Sequence, residues 1–260
     1  MFRLAPSLFV FALVACKGPP EAPQELDELC AYLYSHQNDE DPEPMVEGIA
    51  NLSAWLELHS AEVAEGYTVQ NLDQASLDEL DDRERDATKI LGGAIASTSP
   101  MPLEDMIVAL ITADQAEVFP ETYISFDRVF DEDPACFMSY ECDRLEYEND
   151  TLTDLPLVGE LASTSTSQDL WVDFEHGPAM MHRSWMHERS AASVLAIDQQ
   201  YNIAVTIPRA DDTAWRLQAV WADVEVIGAD IPASTMLNLL IDGLGENDQT
   251  LYAYVEANSR

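Results

Sequence analysis

Apolar residues recur every three to four positions through the first half of the chain, and this spacing predicts helices. Two of them are predicted from apolar residues that share one face: Leu26, Leu29, Cys30 and Leu33 in the first, and Met45, Ile49, Leu52 and Leu56 in the second. The second helix is expected to start at Asp41-Pro42 and to continue to His59. The chain therefore opens with a helical layer.

Two further helices are predicted before residue 119. Ser76 and Glu79 form a capping-box pattern, so a helix is expected to run from there through Ile90 and Leu91 until Gly92-Gly93 stops it. Another begins at Pro102 and carries Met106, Ile107, Leu110 and Ile111. Its apolar residues lie almost all round, which predicts a buried helix, yet the apolar run is too short to span a membrane.

After Phe119-Pro120, aromatic and β-branched residues alternate with polar ones, and this alternation predicts strands. The predicted strands are 145–152, 160–165, 170–175, 179–185, 202–207 and 216–226, and His176-Gly177-Pro178 is the clearest turn. Short connections leave no room for crossover helices, so the strands should form an antiparallel meander.

The chain is expected to return to helix after Asp230 and Pro232, with an apolar stripe of Leu237, Leu240, Ile241 and Leu244 and a break at Gly245. The predicted fold class is α+β: a helical half (26–130), then an antiparallel sheet closed by a C-terminal helix (131–260), either as two units or as one domain. This order superficially resembles that of the helix-grip domains that bind lipids, although no motif of such a domain is present.

The first sixteen residues have the layout of an export signal. Arg3 supplies a short positive head, and the apolar stretch Leu4 to Val14 is shorter than the roughly 20 residues of a membrane span. The stretch ends in Leu13-Val14-Ala15-Cys16, which resembles the lipobox of bacterial lipoproteins. The resemblance implies that residues 1–15 are a signal peptide and that Cys16 carries the lipid, whereas the alternative is an ordinary secretory signal.

Residues 16–25 continue from the lipidated cysteine as a proline-rich tether, KGPPEAPQE after Cys16. By the same resemblance, Lys17 in place of an aspartate suggests the outer membrane. The expected location is the bacterial cell envelope, with the membrane as a partner through the lipid on Cys16 alone.

The net charge of −37, from 49 acidic and 12 basic residues, excludes two classes of partner. Nucleic acids and anionic lipid surfaces carry the same sign and would be repelled. The acidic runs at 38–41 and 131–133 lack the ligand spacing and the central glycine of a calcium loop. The acidity therefore indicates a solvated surface, and the sequence predicts no cofactor.

Three cysteines remain once Cys16 is assigned to lipid: Cys30, Cys136 and Cys142. An exported protein should oxidise two of them, and all three pairings are open. The local pair Cys136 and Cys142 is favoured, although on a straight strand its sulfurs would lie about 20 Å apart, so this disulfide requires a turn or a bulge. Cys30 lies on an apolar helix face and is expected to be a buried small hydrophobe.

His176, His182 and His187 lie within twelve residues and suggest a metal site. Strand alternation, however, places His182 and Ser184 on one face and Arg183 and Trp185 on the other. Convergence of the three histidines is therefore the less favoured interpretation. Arg183 and Trp185 could instead pack as a cation and a ring.

No nucleophile elbow, Walker loop or dinucleotide glycine pattern is present, so the sequence does not favour an enzyme. The first functional hypothesis is a lipid-anchored acidic envelope protein with a structural or partner-binding role. The alternative is a binding module that holds a small apolar ligand or lipid between the sheet and the C-terminal helix. Its cavity would be lined by four aromatic residues, Trp171, Phe174, Tyr201 and Trp221, which would otherwise be filled core.

Overall fold

The computed structural model describes residues 21–155, 158–229 and 231–258. The helices are α1 (Leu26–His36), α2 (Glu43–Val63), α3 (Gln74–Asp78), α4 (Leu103–Ile111), α5 (Gln115–Val118), α6 (Pro134–Met138) and α7 (Ala233–Asn258). The strands are β1 (Tyr67–Val69), β2 (Leu91–Ser99), β3 (Tyr123–Phe130), β4 (Arg144–Leu155), β5 (Gly159–Val172), β6 (Ala179–Met186), β7 (Ser190–Ala191), β8 (Leu195–Pro208) and β9 (Ala214–Val226).

The strands form one antiparallel sheet in the order β1-β2-β9-β8-β6-β5-β4-β3, with β7 paired to β8. From β3 to β9, strands that follow each other in the chain are mostly neighbours in the sheet, as expected of a meander. Strand β2 pairs with β9 on the side away from β8. The N-terminal part of the chain joins the sheet through this pairing. The α+β fold class predicted from the sequence is confirmed.

Helices α1 and α2 pack on one face of the sheet, called here the α2 face. The ring of Tyr34 in α1 meets those of Tyr201 and Trp221 edge-on, with centroids 6.1 and 5.7 Å away. Trp215 donates a hydrogen bond from Nε1 to Glu57 of α2 at 3.1 Å. These aromatic residues lie in the larger apolar cluster, so the α2 face is a filled core.

Helix α7 packs on the opposite face, called here the α7 face, over β2 and β9. Asp248 accepts hydrogen bonds from Arg216 Nε at 2.7 Å and Gln218 Nε2 at 2.8 Å. It also accepts one from Ser97 Oγ at 2.8 Å. A buried polar cluster therefore fixes the middle of α7 to the sheet.

The helix predicted from Ser76 to Leu91 is wrong in its extent. Helix α3 ends at Asp78, and its N-cap is Asp73, whose side chain accepts from the Ser76 backbone nitrogen. The residues after α3 are irregular, and within them Arg85 lies against the sheet, where it is buried and donates to the Tyr201 hydroxyl at 3.2 Å.

Gly92 and Gly93 lie within β2 instead of ending a helix. A Cβ atom on Gly92 would lie 2.5 Å from the Trp221 ring on the α2 face. One on Gly93 would lie 2.7 Å from Leu237 of α7 on the other face. Gly92 therefore leaves room for the ring of its cross-strand neighbour Trp221, and Gly93 leaves room for α7.

Three further differences concern element boundaries. The predicted strands 160–165 and 170–175 are one strand, β5. Strand β3 was not predicted. Helix α7 continues through Gly245, where the missing side chain lets Ile95 approach to 3.1 Å of the Cβ position. A glycine in a helix costs about 1 kcal/mol, which tertiary packing here offsets.

The predicted signal peptide and Cys16 lie outside the described residues. The last residues of the predicted tether, 21–25, lie within them, and Asn51 of α2 donates to the carbonyl oxygens of Ala22 and Pro23, both at 3.0 Å. Ala22 is buried, so this end of the tether belongs to the folded domain. Among the described helices, none combines the length and the apolar character needed to cross a membrane.

Candidate functional site

The larger cleft described here lies at one end of the sheet, where β4 begins and β5 ends, and is called the terminal cleft. Its volume is about 1030 Å³. Apolar and aromatic residues form much of its lining: Pro42, Met45, Val46, Tyr140, Leu170, Trp171, Val172 and Pro178. The cleft is thus bounded by the α1–α2 connection on one side and by the loop after α6 on the other.

Trp171 is the largest apolar group in the terminal cleft. Its ring stacks on Phe137 of α6 with centroids 4.9 Å apart and planes inclined by 18°. Its Nε1 donates to the Phe137 carbonyl oxygen at 2.9 Å. Because the indole nitrogen is satisfied within the protein, what remains for a ligand is apolar ring surface.

The loop after α6 carries Tyr140 to the mouth of this cleft. Cys136 and Cys142 form a disulfide, as predicted, and α6 supplies the turn that this pair requires. Between them Tyr140 adopts a left-handed conformation with φ of 60°, places its ring 4.7 Å from that of Trp171 and is 46% exposed. The disulfide therefore holds a partly exposed aromatic residue over the cleft floor.

Cys30 is the free thiol of the described chain and lies buried on α1. Desolvation, reinforced by the charge of Asp27, raises the pKa of the Cys30 thiol far above its usual range. It is therefore protonated at neutral pH and acts as a core residue, as predicted.

The polar rim of the terminal cleft is mainly acidic, with Asp39, Glu40, Glu104, Asp143 and Asp173 among its residues. Arg144 is the basic residue of this lining, and the α1–α2 connection occupies its guanidinium. Its Nη1 donates to the Gln37 carbonyl oxygen at 2.8 Å, and its Nη2 donates to that of Asp39 at 3.2 Å. The rim thus favours a neutral or cationic ligand group over an anionic one.

A smaller cleft of about 460 Å³ lies at the same end of the sheet, next to α2. Phe174 and His176 line it together with Arg209 and Glu57, whose side chains are paired at 3.5 Å. Its charged walls make it a poorer candidate for an apolar ligand.

On the α7 face, strand pairing aligns one row of residues across the sheet. From β4 to β2 this row reads Leu145, Asp169, His182, Ala204, Gln218 and Ile95. Helix α7 covers the Gln218 end, since Gln218 Nε2 donates to the Leu244 carbonyl oxygen at 3.1 Å. Leu145 packs in the apolar cluster that includes residues of α4 and α6 at the other end. His182 therefore lies between two covered regions.

Asp169 and His182 form a cross-strand pair in this row. The distance from Asp169 Oδ1 to His182 Nδ1 is 2.9 Å. The Asp169 side chain is 1% exposed and that of His182 is 25% exposed. The pKa of the neighbouring Tyr147 hydroxyl is raised, mainly because the hydroxyl is buried and secondly because of the Asp169 charge. The buried carboxylate of Asp169 therefore contacts an imidazole that is partly accessible to solvent.

The structure does not bring the three predicted metal ligands together. His176 lies in the exposed turn after β5, His182 pairs with Asp169, and His187 Nε2 lies 2.6 Å from Thr166 Oγ1. Within residues 21–155, 158–229 and 231–258, no group of three or more histidine, cysteine or acidic side chains has the geometry of a metal site. The metal hypothesis therefore has no support in this arrangement.

Strand alternation placed the residues around His182 correctly. His182 and Ser184 lie on the α7 face, and Arg183 and Trp185 lie on the α2 face. The Arg183 guanidinium carbon is 5.4 Å from the Trp185 ring centroid. Both side chains are buried beneath α1, where Arg183 Nη1 also donates to the Tyr34 carbonyl oxygen at 2.9 Å.

The four aromatic residues predicted to line one cavity do not do so. Trp171 lines the terminal cleft and Phe174 lines the smaller one. Tyr201 and Trp221 are fully buried against α1 on the α2 face. The prediction of a shared cavity is wrong because Trp171 points to the opposite side of the sheet from Tyr201 and Trp221. Asp169 was missed, since only the strand register shows that it faces His182.

No family model matches the sequence, and no curated protein matches it. Solved structures with a similar fold include TTHA0849 from Thermus thermophilus, with 14% identity and a TM-score of 0.44 over 64% of this chain and 98% of that one. The lipid transfer and protein localization domain of human StarD13 (DLC2) is 8% identical, with a TM-score of 0.42 over 77% and 95%. A STAR-related lipid transfer protein from Xanthomonas axonopodis is 11% identical, with a TM-score of 0.42 over 66% and 97%.

Proposed function

We propose that this chain is a binding module for a small, mainly apolar ligand, which occupies the terminal cleft. The observation that carries the proposal is the size and lining of this cleft. Its volume of about 1030 Å³ lies at the upper end of the range of small-molecule sites, about 300–1,000 Å³. The sequence-based alternative placed a ligand between the sheet and the C-terminal helix, whereas this cleft lies at the end of the sheet.

The cleft offers apolar contact on several sides. Val46 of α2 and Tyr140 of the disulfide loop are the more exposed apolar groups, at 39% and 46%, and Met45, Leu170 and Trp171 lie largely buried behind them. Burial of apolar ligand surface against such a lining contributes about 25 cal/mol per Å². The acidic rim and the occupied guanidinium of Arg144 disfavour a carboxylate or phosphate at the mouth.

The test is a fluorescence titration of the full chain with the neutral apolar dye Nile red. Val46 lines the cleft and is 39% exposed, so Val46→Trp should fill part of the cavity and reduce binding at least tenfold. The matched control is Val129→Trp, because Val129 is 65% exposed on β3 outside the lining of the cleft. We expect this control to bind as the wild type does.

Two results would overturn the proposal. The first is a wild-type protein that leaves the fluorescence of Nile red unchanged. The second is equal dye affinity in Val46→Trp and Val129→Trp, with both variants folded by circular dichroism. Either result would mean that the terminal cleft is not a ligand-binding site.

We also propose that the module is lipid-anchored through Cys16 in the bacterial cell envelope, on the outer membrane. The lipobox Leu13-Val14-Ala15-Cys16 supports this proposal. On this proposal, six residue steps connect Cys16 to Ala22, whose carbonyl is held by Asn51, and they span at most about 22 Å. The ligand module would then lie close to the membrane. Cys16→Ala should abolish labelling by a radioactive fatty acid, and persistent labelling would exclude the anchor.

A further inference from the structure

Tyr140 supplies the accessible aromatic ring of the terminal cleft. This residue is 46% exposed at the mouth, whereas Trp171, with its ring centroid 4.7 Å away, is only 8% exposed. The face of an aromatic ring carries partial negative charge and attracts a cation within about 6 Å of its centroid. Tyr140 therefore offers a ligand both apolar contact and attraction for positive charge.

Other rings of this fold already have a cation supplied by the protein. The guanidinium carbon of Arg128 lies 4.3 Å from the centroid of the Tyr147 ring, and that of Arg209 lies 4.5 Å from the centroid of the Trp215 ring. In the described part of the chain, no arginine or lysine lies over the ring of Tyr140. The exposed surface of this ring is therefore available to a ligand.

Carboxylates surround the mouth at which this ring lies. Four acidic residues of the lining are exposed, namely Glu40, Glu104, Asp143 and Asp173. None of the four forms a salt bridge within residues 21–155, 158–229 and 231–258. The fold therefore does not neutralise their charges with a basic partner.

Glu104 is the rim carboxylate that acts on Tyr140. The pKa of the Tyr140 hydroxyl is raised, mainly because the hydroxyl is partly buried and secondly because of the Glu104 charge. Glu104 lies in the first turn of α4 and Tyr140 lies in the disulfide loop, so only the fold brings them together. A positive group at the Tyr140 ring would therefore also be attracted by this carboxylate.

The basic residue of the lining does not cancel the acidic rim. Arg144 stands against five acidic residues, and its Nη1 also donates to Asn38 Oδ1 at 3.2 Å, besides the backbone carbonyl oxygens of the α1–α2 connection. Exposed charges are strongly screened in water, so the rim alone would hold an inorganic cation weakly. A neutral apolar molecule, in turn, gains contact only with the apolar lining. A molecule with both an apolar and a cationic part gains both interactions.

We infer that the terminal cleft selects a small apolar molecule that carries an ammonium group, which lies at the Tyr140 ring and the rim carboxylates. This inference rests on the proposed function, because it names the ligand class of the same cleft. The net positive charge distinguishes this class from zwitterionic lipid headgroups, in which a phosphate accompanies the ammonium group.

The test compares 4-(trimethylammoniomethyl)benzyl alcohol with 4-neopentylbenzyl alcohol, in which a neutral carbon replaces the charged nitrogen and the shape is unchanged. Affinities of the full chain are measured by isothermal titration calorimetry at low salt, where charges are least screened. We expect the wild type to bind the cation about fivefold more tightly than the neutral alcohol. Glu104→Gln, and separately Tyr140→Leu, which keeps apolar contact but removes the ring, should each lower this preference roughly two- to fivefold.

The matched control is Glu117→Gln, because a strongly acidic protein attracts cations at many places on its surface. Glu117 lies in the first turn of α5 outside the lining of the cleft, and its replacement changes the net charge by the same amount as Glu104→Gln. We expect this control to keep the preference of the wild type. Equal losses in the two glutamine variants, both folded by circular dichroism, would overturn the inference.

A second pair of probes separates an organic cation from a lipid headgroup. Dodecyltrimethylammonium should bind more tightly than dodecylphosphocholine, which has the same tail and adds a phosphate, below the concentrations at which either forms micelles. Equal affinities would mean that the cleft accepts a zwitterionic headgroup, and the inferred ligand class would be wrong.

Failure of the inference is distinguishable from failure of the proposed function. If Nile red and the neutral alcohol bind and the cation binds no more tightly, the ligand class is wrong and the cleft remains a site for apolar ligands. If neither Nile red nor either alcohol binds, both proposals are wrong. If Val46→Trp leaves the affinity for the cation unchanged, the cation binds elsewhere and the inference is likewise wrong.

Discussion

Replacement of Asp248 tests whether the buried polar cluster fixes α7 to the sheet. Asp248 and Arg216 are almost fully buried and lie 2.7 Å apart, and Arg216 Nη1 also donates to Thr206 Oγ1 at 3.0 Å. Asp248→Ala would leave the guanidinium buried with only this neutral partner. Removal of one member of a buried ion pair costs about 3–5 kcal/mol, because the other charge stays desolvated.

The double variant Arg216→Met/Asp248→Leu separates this charge effect from lost packing. It removes both charges and keeps side chains of similar volume, so it should cost far less than Asp248→Ala or even be neutral. Gln218 still donates to the Leu244 carbonyl oxygen and Ser97 still contacts the Tyr252 hydroxyl, whereas the buried Thr206 hydroxyl loses its contact with Arg216, a cost well below that of an unpaired charge.

Urea and thermal denaturation followed by circular dichroism measure both effects. For a domain of this size a loss of 3–5 kcal/mol corresponds to a drop in Tm of roughly 6–20 °C. We expect that drop for Asp248→Ala and a much smaller one for the double variant. If the double variant is as unstable as the single one, the pair does not act through an uncompensated charge, and α7 is held by its apolar contacts instead.

Two further predictions concern stability. Gly92→Ala should destabilise the protein by about 1–3 kcal/mol, because its Cβ would meet the Trp221 ring. Gly243→Ala, with open space around the new Cβ in α7, should stabilise it by up to about 1 kcal/mol. Equal denaturation midpoints of the two variants would contradict the close approach of Trp221 to Gly92. The pKa of Asp223 is raised, mainly by burial and then by the charge of Asp198. The folded state therefore loses stability as the pH rises through that pKa. Asp223→Asn should therefore raise Tm at pH 7 and not at pH 3, and a gain of the same size at both pH values would contradict this.

Periodicity predicted those elements that bury one face. Helices α1 and α2 and strand β4 were found because their apolar residues repeat at the period of the element. Strands β6 and β9 were found as well, although they are largely buried on both faces. The helix from Ser76 failed because apolar residues at helical spacing are not sufficient for a helix: α3 ends at Asp78, and the chain beyond it makes tertiary contacts such as that of Arg85 with Tyr201. Gly92-Gly93 was interpreted as a stop signal, since the sequence alone does not reveal that Trp221 and α7 approach this strand closely.

The candidate sites were only partly predictable. Alternation within β6 gave the correct face of His182, because this needs one strand alone. Asp169 could not be chosen among 49 acidic residues without the register of β5 against β6. The terminal cleft joins residues from α2, β5 and the disulfide loop, so no local pattern contains it. The disulfide was an exception, because its two cysteines lie six residues apart.

The two faces of the sheet differ in how completely apolar side chains fill them. On the α2 face, aromatic residues such as Trp221 and Tyr201 are fully buried and leave no room for a ligand. On the α7 face, the central strands carry polar side chains, including His182 and Asn202, that remain partly exposed. A protein gains little stability from polar groups in such a position, since they exchange water for other partners at nearly equal free energy. Because α7 packs over β2 and β9, polar side chains on β6 and β8 keep contact with water on this face, and their presence there costs the fold little.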